Sequence, residues 1–161
     1  GKTLENGKLT GLEDSEIETL GKRFDIVLIE ADGAKGLPLK YPADHEPVIS
    51  PLSQKVFIVA GMDALFLPFH DVVFRHELMA RRTMKELPRL VYPDIFRRFF
   101  SEDILLKNTA NFDRTIILNK YDASRHRHLP AVLLKEIMEN TGITSGIIAA
   151  ARYGIWYQAK L

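Results

Sequence analysis

The 161-residue sequence has no cysteine, which excludes disulfides and thiolate metal sites outright and fits a cytoplasmic protein, the location we expect. It has no apolar run of about 18 residues and no charged-then-apolar leader, so neither a membrane span nor a signal peptide is expected. It also lacks a strong charge of one sign: the formal net charge is +1. Neither nucleic acid nor a membrane is therefore expected among its partners. What is present is ordinary for a globular domain, with 46% hydrophobic and 27% charged residues, enough for one sizeable core. The expectation is a single α/β domain over 1–161. Because the sequence begins with Gly1 and not methionine, it is expected to be a fragment of a longer protein.

The charge that exists is unevenly placed. Twelve acids face seven bases from Gly1 to Phe74, whereas twelve bases face seven acids from Arg75 to Arg127. An anionic ligand lying between the two parts would fit that balance, and so would a solvated helix surface.

Four apolar runs have the character of strands buried on both faces of a parallel sheet: Phe24 to Ala31 (FDIVLIEA), Lys55 to Gly61 (KVFIVAG), Arg114 to Leu118 (RTIIL) and Ile143 to Ala151 (ITSGIIAAA). Asp14-Ser15-Glu16-Ile17-Glu18 opens a short helix ending near Gly21. Helices are predicted over Val73 to Leu87, Asp94 to Phe100 and Glu102 to Lys107, and an amphipathic helix over Pro130 to Asn140, with Val132, Leu133, Ile137 and Met138 on its apolar face and Gly142 ending it. Alternation of strands and helices argues for a parallel α/β sheet with right-handed crossovers.

In open parallel sheets, ligands sit at the carboxyl ends of the strands. The first run ends in Glu30, Asp32 and Gly33. Carboxylates there can hold Mg²⁺, and glycine lets the backbone approach a phosphate; an Asp-Gly turn with no ligand reads the same way. The third run ends in Asn119-Lys120-Tyr121-Asp122, an NKxD tetrapeptide. In GTP-binding proteins the aspartate accepts from the guanine edge, which presents donors that adenine lacks, the lysine stem lies over the base, and the asparagine ties loops together. The competing reading is a helix-capping Asn or Asp in a turn. No glycine-rich phosphate loop is found. Gly1-Lys2-Thr3 has the ending of one, but LENGKLTGL lacks the helical periodicity that must follow, so the match is read as coincidence and the true loop is expected upstream.

Softer signals surround these. Leu37 to Pro51 is a proline-rich loop expected on the surface, carrying Lys40, Asp44, His45 and Glu46; three adjacent Asp-His-Glu side chains diverge too much for a good metal site, leaving a phosphate- or partner-fixing loop or plain surface polarity. Arg75, His76 and Glu77 open a helix, and Arg75 can either meet phosphate or pair with nearby acids. His126 and His128 flank Arg127 in what reads as an exposed loop, and the tail from Arg152 with Trp156 is expected to pack on the sheet or on a subunit partner.

Three blocks, DIVLIEADGAKGLPLKYPADHEPVI (Asp25 to Ile49), VAGMDAL with FRHE (Val59 to Leu65, Phe74 to Glu77) and IILNKYD (Ile116 to Asp122), resemble the YqeC family of selenium-dependent hydroxylase accessory proteins. That resemblance implies a three-layer P-loop NTPase-like domain, here without its amino-terminal strand and Walker A loop. It also implies a nucleotide, GTP (or ATP) with Mg²⁺, and a role in maturing molybdenum hydroxylases that need selenium, whose apoenzymes or cofactor-maturation proteins would be partners; oligomers are allowed. The Glu30 to Gly33 turn and the Asn119 to Asp122 motif are also similar to those of metallochaperone GTPases that load nickel, in which ExxG replaces DxxG. By that likeness Glu30 and Asp32 hold Mg²⁺ and sense the γ-phosphate, Lys35 and Lys40 meet phosphate or an anionic substrate, and Gly33 to Gly36 form a mobile switch. Whether hydrolysis occurs is left open, and the chain alone, lacking a phosphate loop, is expected to be inactive. The alternative is a docking module without turnover.

Overall fold

A computed structural model describes residues 11–84, 86–124 and 128–161. Gly1-Lys2-Thr3 and the His126-Arg127 tract lie outside them. In chain order the elements are α1 (Asp14–Gly21), β1 (Leu39–Lys40), β2 (Lys55–Gly61), α2 (Phe69–Val72), β3 (Val73–Phe74), α3 (His76–Thr83), α4 (Pro93–Arg98), β4 (Asp113–Asn119), α5 (Leu129–Thr141), β5 (Ser145–Ala150) and β6 (Ile155–Lys160).

The main sheet has the order β2-β4-β5-β6. β2, β4 and β5 are parallel, with Lys55 to Gly61 in unbroken register against Asp113 to Asn119. β6 turns back and pairs antiparallel with β5, so the sheet is mixed where an all-parallel one was expected. Leu39–Lys40 and Val73–Phe74 form a second, two-stranded parallel sheet.

Strand periodicity of two decides which side of the main sheet is core. Ile58, Ala60, Ile116 and Leu118 are buried and join one cluster with Phe69 and Val72 of α2, Phe96 of α4 and Leu133, Leu134, Ile137 and Met138 of α5. The i, i+1, i+4, i+5 spacing of those α5 residues makes a single apolar stripe. It lies so close to the sheet that a Cβ at Gly146 would come within 2.6 Å of Met138 Sδ. Each large side chain so buried contributes roughly 1.5–3 kcal/mol. The alternate face bears Phe57 and Val59, 47% and 52% exposed. Among the described residues the helices that enter the core therefore cover one side, two layers where three were expected.

Three further expectations are corrected. Phe24 to Ala31 belongs to no strand, and Phe24, Ile26 and Leu28 are exposed, Leu28 to 83%. Its composition is that of an interior strand, yet burial of such a strand needs neighbours on both edges and cover on both faces, and none of the described residues supplies them. The loop after it is not wholly superficial either: Leu39, Lys40 and Tyr41 are buried. Val73 to Phe74, predicted as helix, pairs with β1, and α3 starts only at His76.

Among the described residues no helix is long and apolar enough to cross a membrane.

Candidate functional site

Each of the three parallel strands runs out at its carboxyl end into a single 3-10 turn: Met62–Ala64 after β2, Tyr121–Ala123 after β4 and Ala151–Tyr153 after β5. Side chains stitch these turns together. Asn119 Oδ1 accepts a hydrogen bond of 3.1 Å from the Ala151 amide, tying the end of β4 to that of β5. Lys120 takes a left-handed conformation, φ 59°, which costs a non-glycine residue about 1 kcal/mol. Its ammonium reaches back to Asp63 Oδ2 at 2.7 Å, joining β4 to β2. Tyr121 stacks edge-on against Tyr157 at 5.8 Å. A hydrogen bond with Tyr157 raises the Tyr121 hydroxyl's pKa. Asp122 points into solvent, with its acceptors available. The predicted NKxD residues thus sit at the carboxyl end of β4, with Asn119 bonded to the turn after β5, Lys120 paired with Asp63 and Asp122 exposed.

The second cluster lies on the loop before β2. Gly61 N–H donates to Pro38 O at 3.0 Å, and a Cβ at Gly61 would come within 2.6 Å of Pro38 Cβ, so only glycine lets this loop abut the strand end. From there Lys40 turns inward. Its ammonium contacts Asp32 Oδ1, lies 2.7 Å from Glu46 Oε2 and donates to Gly33 O at 2.9 Å. Glu46 is in turn held by both terminal nitrogens of Arg75, one of them at 2.9 Å, and accepts from the Ala43 amide at 3.2 Å. The bidentate guanidinium pulls the Glu46 carboxyl down to about 2, against the opposing effect of burial, and Glu46 in return raises Arg75. Asp32 behaves differently: burial outweighs the attraction of Lys40 and holds its carboxyl above the ordinary carboxylate value. Phe74 is the floor of this cluster, with Lys35 Nζ 5.2 Å, Lys40 Nζ 5.6 Å and the Arg75 guanidinium 4.9 Å from its ring centre.

The structure therefore gathers Asp32, Gly33, Lys35, Lys40, Glu46 and Arg75 on one side of the β2 end, and Asn119 and Lys120 on the other. Six predicted residues stay outside these contacts or at their margin, the exposed Asp122 among them. Glu30 is exposed, although a Cβ at Gly33 would sit 3.3 Å from its Oε1. Asp44 is spent on Arg82 at 2.6 Å, His45 is largely exposed with Nε2 3.9 Å from Glu46 Oε1, His76 turns Nδ1 toward Val73 O at 3.3 Å, and Glu77 is exposed. Among the described residues no three His, Asp or Glu side chains converge as a metal site. Sequence reasoning missed Asp63, Phe74 and Ala151. Asp63 had a signal, its place two residues past the buried run KVFIVAG, where loop residues reach a ligand edge.

The family described as YqeC protein has a model that matches residues 1–77. A curated relative, "Uncharacterized protein YqeC" of Escherichia coli (strain K12), is 46% identical over 57 residues, 34% of this chain and 22% of the relative. The match thus spans about a fifth of the relative's length. No solved structure matches the chain.

Proposed function

The chain belongs to the YqeC family through its first 77 residues, and from that premise we propose that it is the base-reading part of a guanine-nucleotide-binding accessory protein that works in maturing selenium-dependent molybdenum hydroxylases. The observation that carries the nucleotide reading is the geometry at the end of β4: Asn119 is bonded to Ala151, Lys120 is fixed on Asp63, and Asp122 is exposed with no partner among the described residues. In this reading Asp122 accepts from the guanine N–H groups, Lys120 covers the base, and Lys35 with Gly33 faces the phosphates, whose Mg²⁺ draws on Glu30 and Asp32. A P-loop NTPase architecture belongs to the same proposal.

One observation favours a second reading, a docking module without turnover. Lys40, Arg75, Asp32 and Glu46 neutralise one another, which suits a rigid surface better than a site awaiting charge.

Calorimetric titration of GTP and ATP with Mg²⁺ into the full-length protein separates the two. The nucleotide reading expects guanine-selective binding that Asp122→Ala weakens at least ~10-fold, about 1.4 kcal/mol, while Glu139→Ala on α5 leaves it unchanged. Equal losses from both substitutions, or no binding at all, would sink the base pocket and leave the docking module.

A further inference from the structure

Two tetrapeptides of one pattern meet on the connection between β2 and β4: LPFH, Leu67 to His70, and LPRL, Leu87 to Leu90. Pro68 bridges Leu90 in antiparallel sense. The flanking bonds hold the two segments in register, Phe69 N–H donating to Arg89 O at 3.1 Å and Val91 N–H to Leu67 O at 3.0 Å. Buried Phe69 and Val91 anchor the pair in the core, where the Phe69 ring centre lies 6.0 Å from that of Phe99. The fixed φ of each proline stiffens these walls further.

Between the segments is an open cavity of about 550 Å³, lined by Pro68, Phe69, His70 and all four residues of LPRL. Small-molecule sites have volumes of about 300–1,000 Å³ and are mostly apolar, with a few polar groups that fix orientation. This lining has that character: five of its seven residues are apolar, the polar ones are His70 and Arg89, and no carboxylate is among the described lining residues. His70 turns Nε2 to Asp71 Oδ1 at 3.2 Å. Arg89 is exposed and, among the described residues, has no carboxylate partner, not even Glu86 three residues before it. Other arginines of this basic part of the chain are spent, Arg82 on Asp44, Arg97 on Glu136 and Arg98 on Asp94.

The donors around the cavity decide which anion suits it. Neither proline has an N–H, and the Phe69 and Val91 amides are used on backbone carbonyls. A phosphate, with three strong acceptor oxygens, would find too few donors, whereas the planar fork of one guanidinium matches one carboxylate.

We propose that this cavity binds a small carboxylate with an aromatic or branched aliphatic body, the carboxylate paired with Arg89 and the body lying on Pro68, Leu87, Pro88 and Leu90. None of the lining residues belongs to the two clusters at the strand ends, so the site goes beyond the nucleotide reading and each can fail without the other.

Amide NMR titration of the full-length protein, with no nucleotide present, tests it with 3-phenylpropanoate and 4-methylpentanoate as probes. The expected result is saturable shifts centred on the His70, Arg89 and Leu90 amides. Affinity should fall at least ~10-fold in Arg89→Gln, and at least ~10-fold for 3-phenylpropanamide, which keeps the body and loses the charge. Arg81→Gln, at an exposed arginine of α3, should leave it unchanged, and both substitutions, being on the surface, should leave the fold intact. No saturable shift from either acid, equal losses from the two substitutions, or an amide that binds as well as its acid would overturn the site. Phenyl phosphate binding more tightly than 3-phenylpropanoate would overturn the carboxylate head group.

Discussion

Lys120 Nζ lies 2.7 Å from Asp63 Oδ2, so the carboxyl ends of β4 and β2 are joined by a charge pair and not only through the sheet. The pair is partly exposed, with 46% of the lysine and 30% of the aspartate side chain accessible. Screening by water limits what it adds to stability to under about 1 kcal/mol. Its effect on position is larger, because a lysine side chain with a free head samples many rotamers.

Asp63→Ala is therefore expected to shift the urea midpoint little while weakening GTP binding about 10-fold in the full-length protein. Calorimetry on the variant checks it, with Lys120→Ala in parallel and the double substitution completing the cycle. If the two losses simply add, Asp63 does not act through Lys120.

Lys35 is held at φ 52°, in the left-handed region, yet among the described residues it has no carboxylate partner and only the face of Phe74 beside it. Lys35→Gly removes the strain, about 1 kcal/mol, offset in part by the greater freedom of glycine in the unfolded chain. The expected outcome is unchanged or slightly higher stability together with several-fold weaker, less salt-dependent binding of nucleotide. Binding that keeps its affinity and salt dependence would remove Lys35 from the phosphates.

How much of this was legible follows from the range of each interaction. β2 matches its predicted run residue for residue, and β4 and α5 match theirs to within a residue or two, because hydrophobic periodicity is a local signal that the sheet and α5 satisfy directly. Phe24–Ala31 shows the limit of that signal: composition reports that a segment suits burial, while the neighbours that bury it lie elsewhere. The two-residue strands β1 and β3 are too short to leave any period. At the site, NKxD could be read because its residues are adjacent, and Asn119 does tie two loops. The Glu46–Arg75 pair spans 29 residues and the Lys120–Asp63 pair 57, and no spacing in the sequence announces contacts that only the fold creates.

The Glu46–Arg75 contact makes the stability of the fold depend on pH in the acid range. Glu46 has a folded value of about 2 against an ordinary 4.5, so the folded state releases this proton more readily than the unfolded chain does. Its stabilisation is fully present above pH 4.5 and is lost as pH falls toward 2. Asp32 acts with the opposite sign. Its carboxyl is raised above 3.8, so as pH falls the folded state takes up that proton more readily than the unfolded chain and gains a little stability. These two groups predict a slight rise in the urea midpoint from Asp32 and a steep fall between pH 4.5 and about 2 from Glu46. Glu46→Gln should cost on the order of 3 kcal/mol at pH 7, the scale for breaking a largely buried ion pair by removing one partner, and should flatten the decline below pH 4. Asp32→Asn should instead remove the slight rise and leave the steep limb intact. A steep limb that survives Glu46→Gln would place the acid sensitivity in other carboxylates.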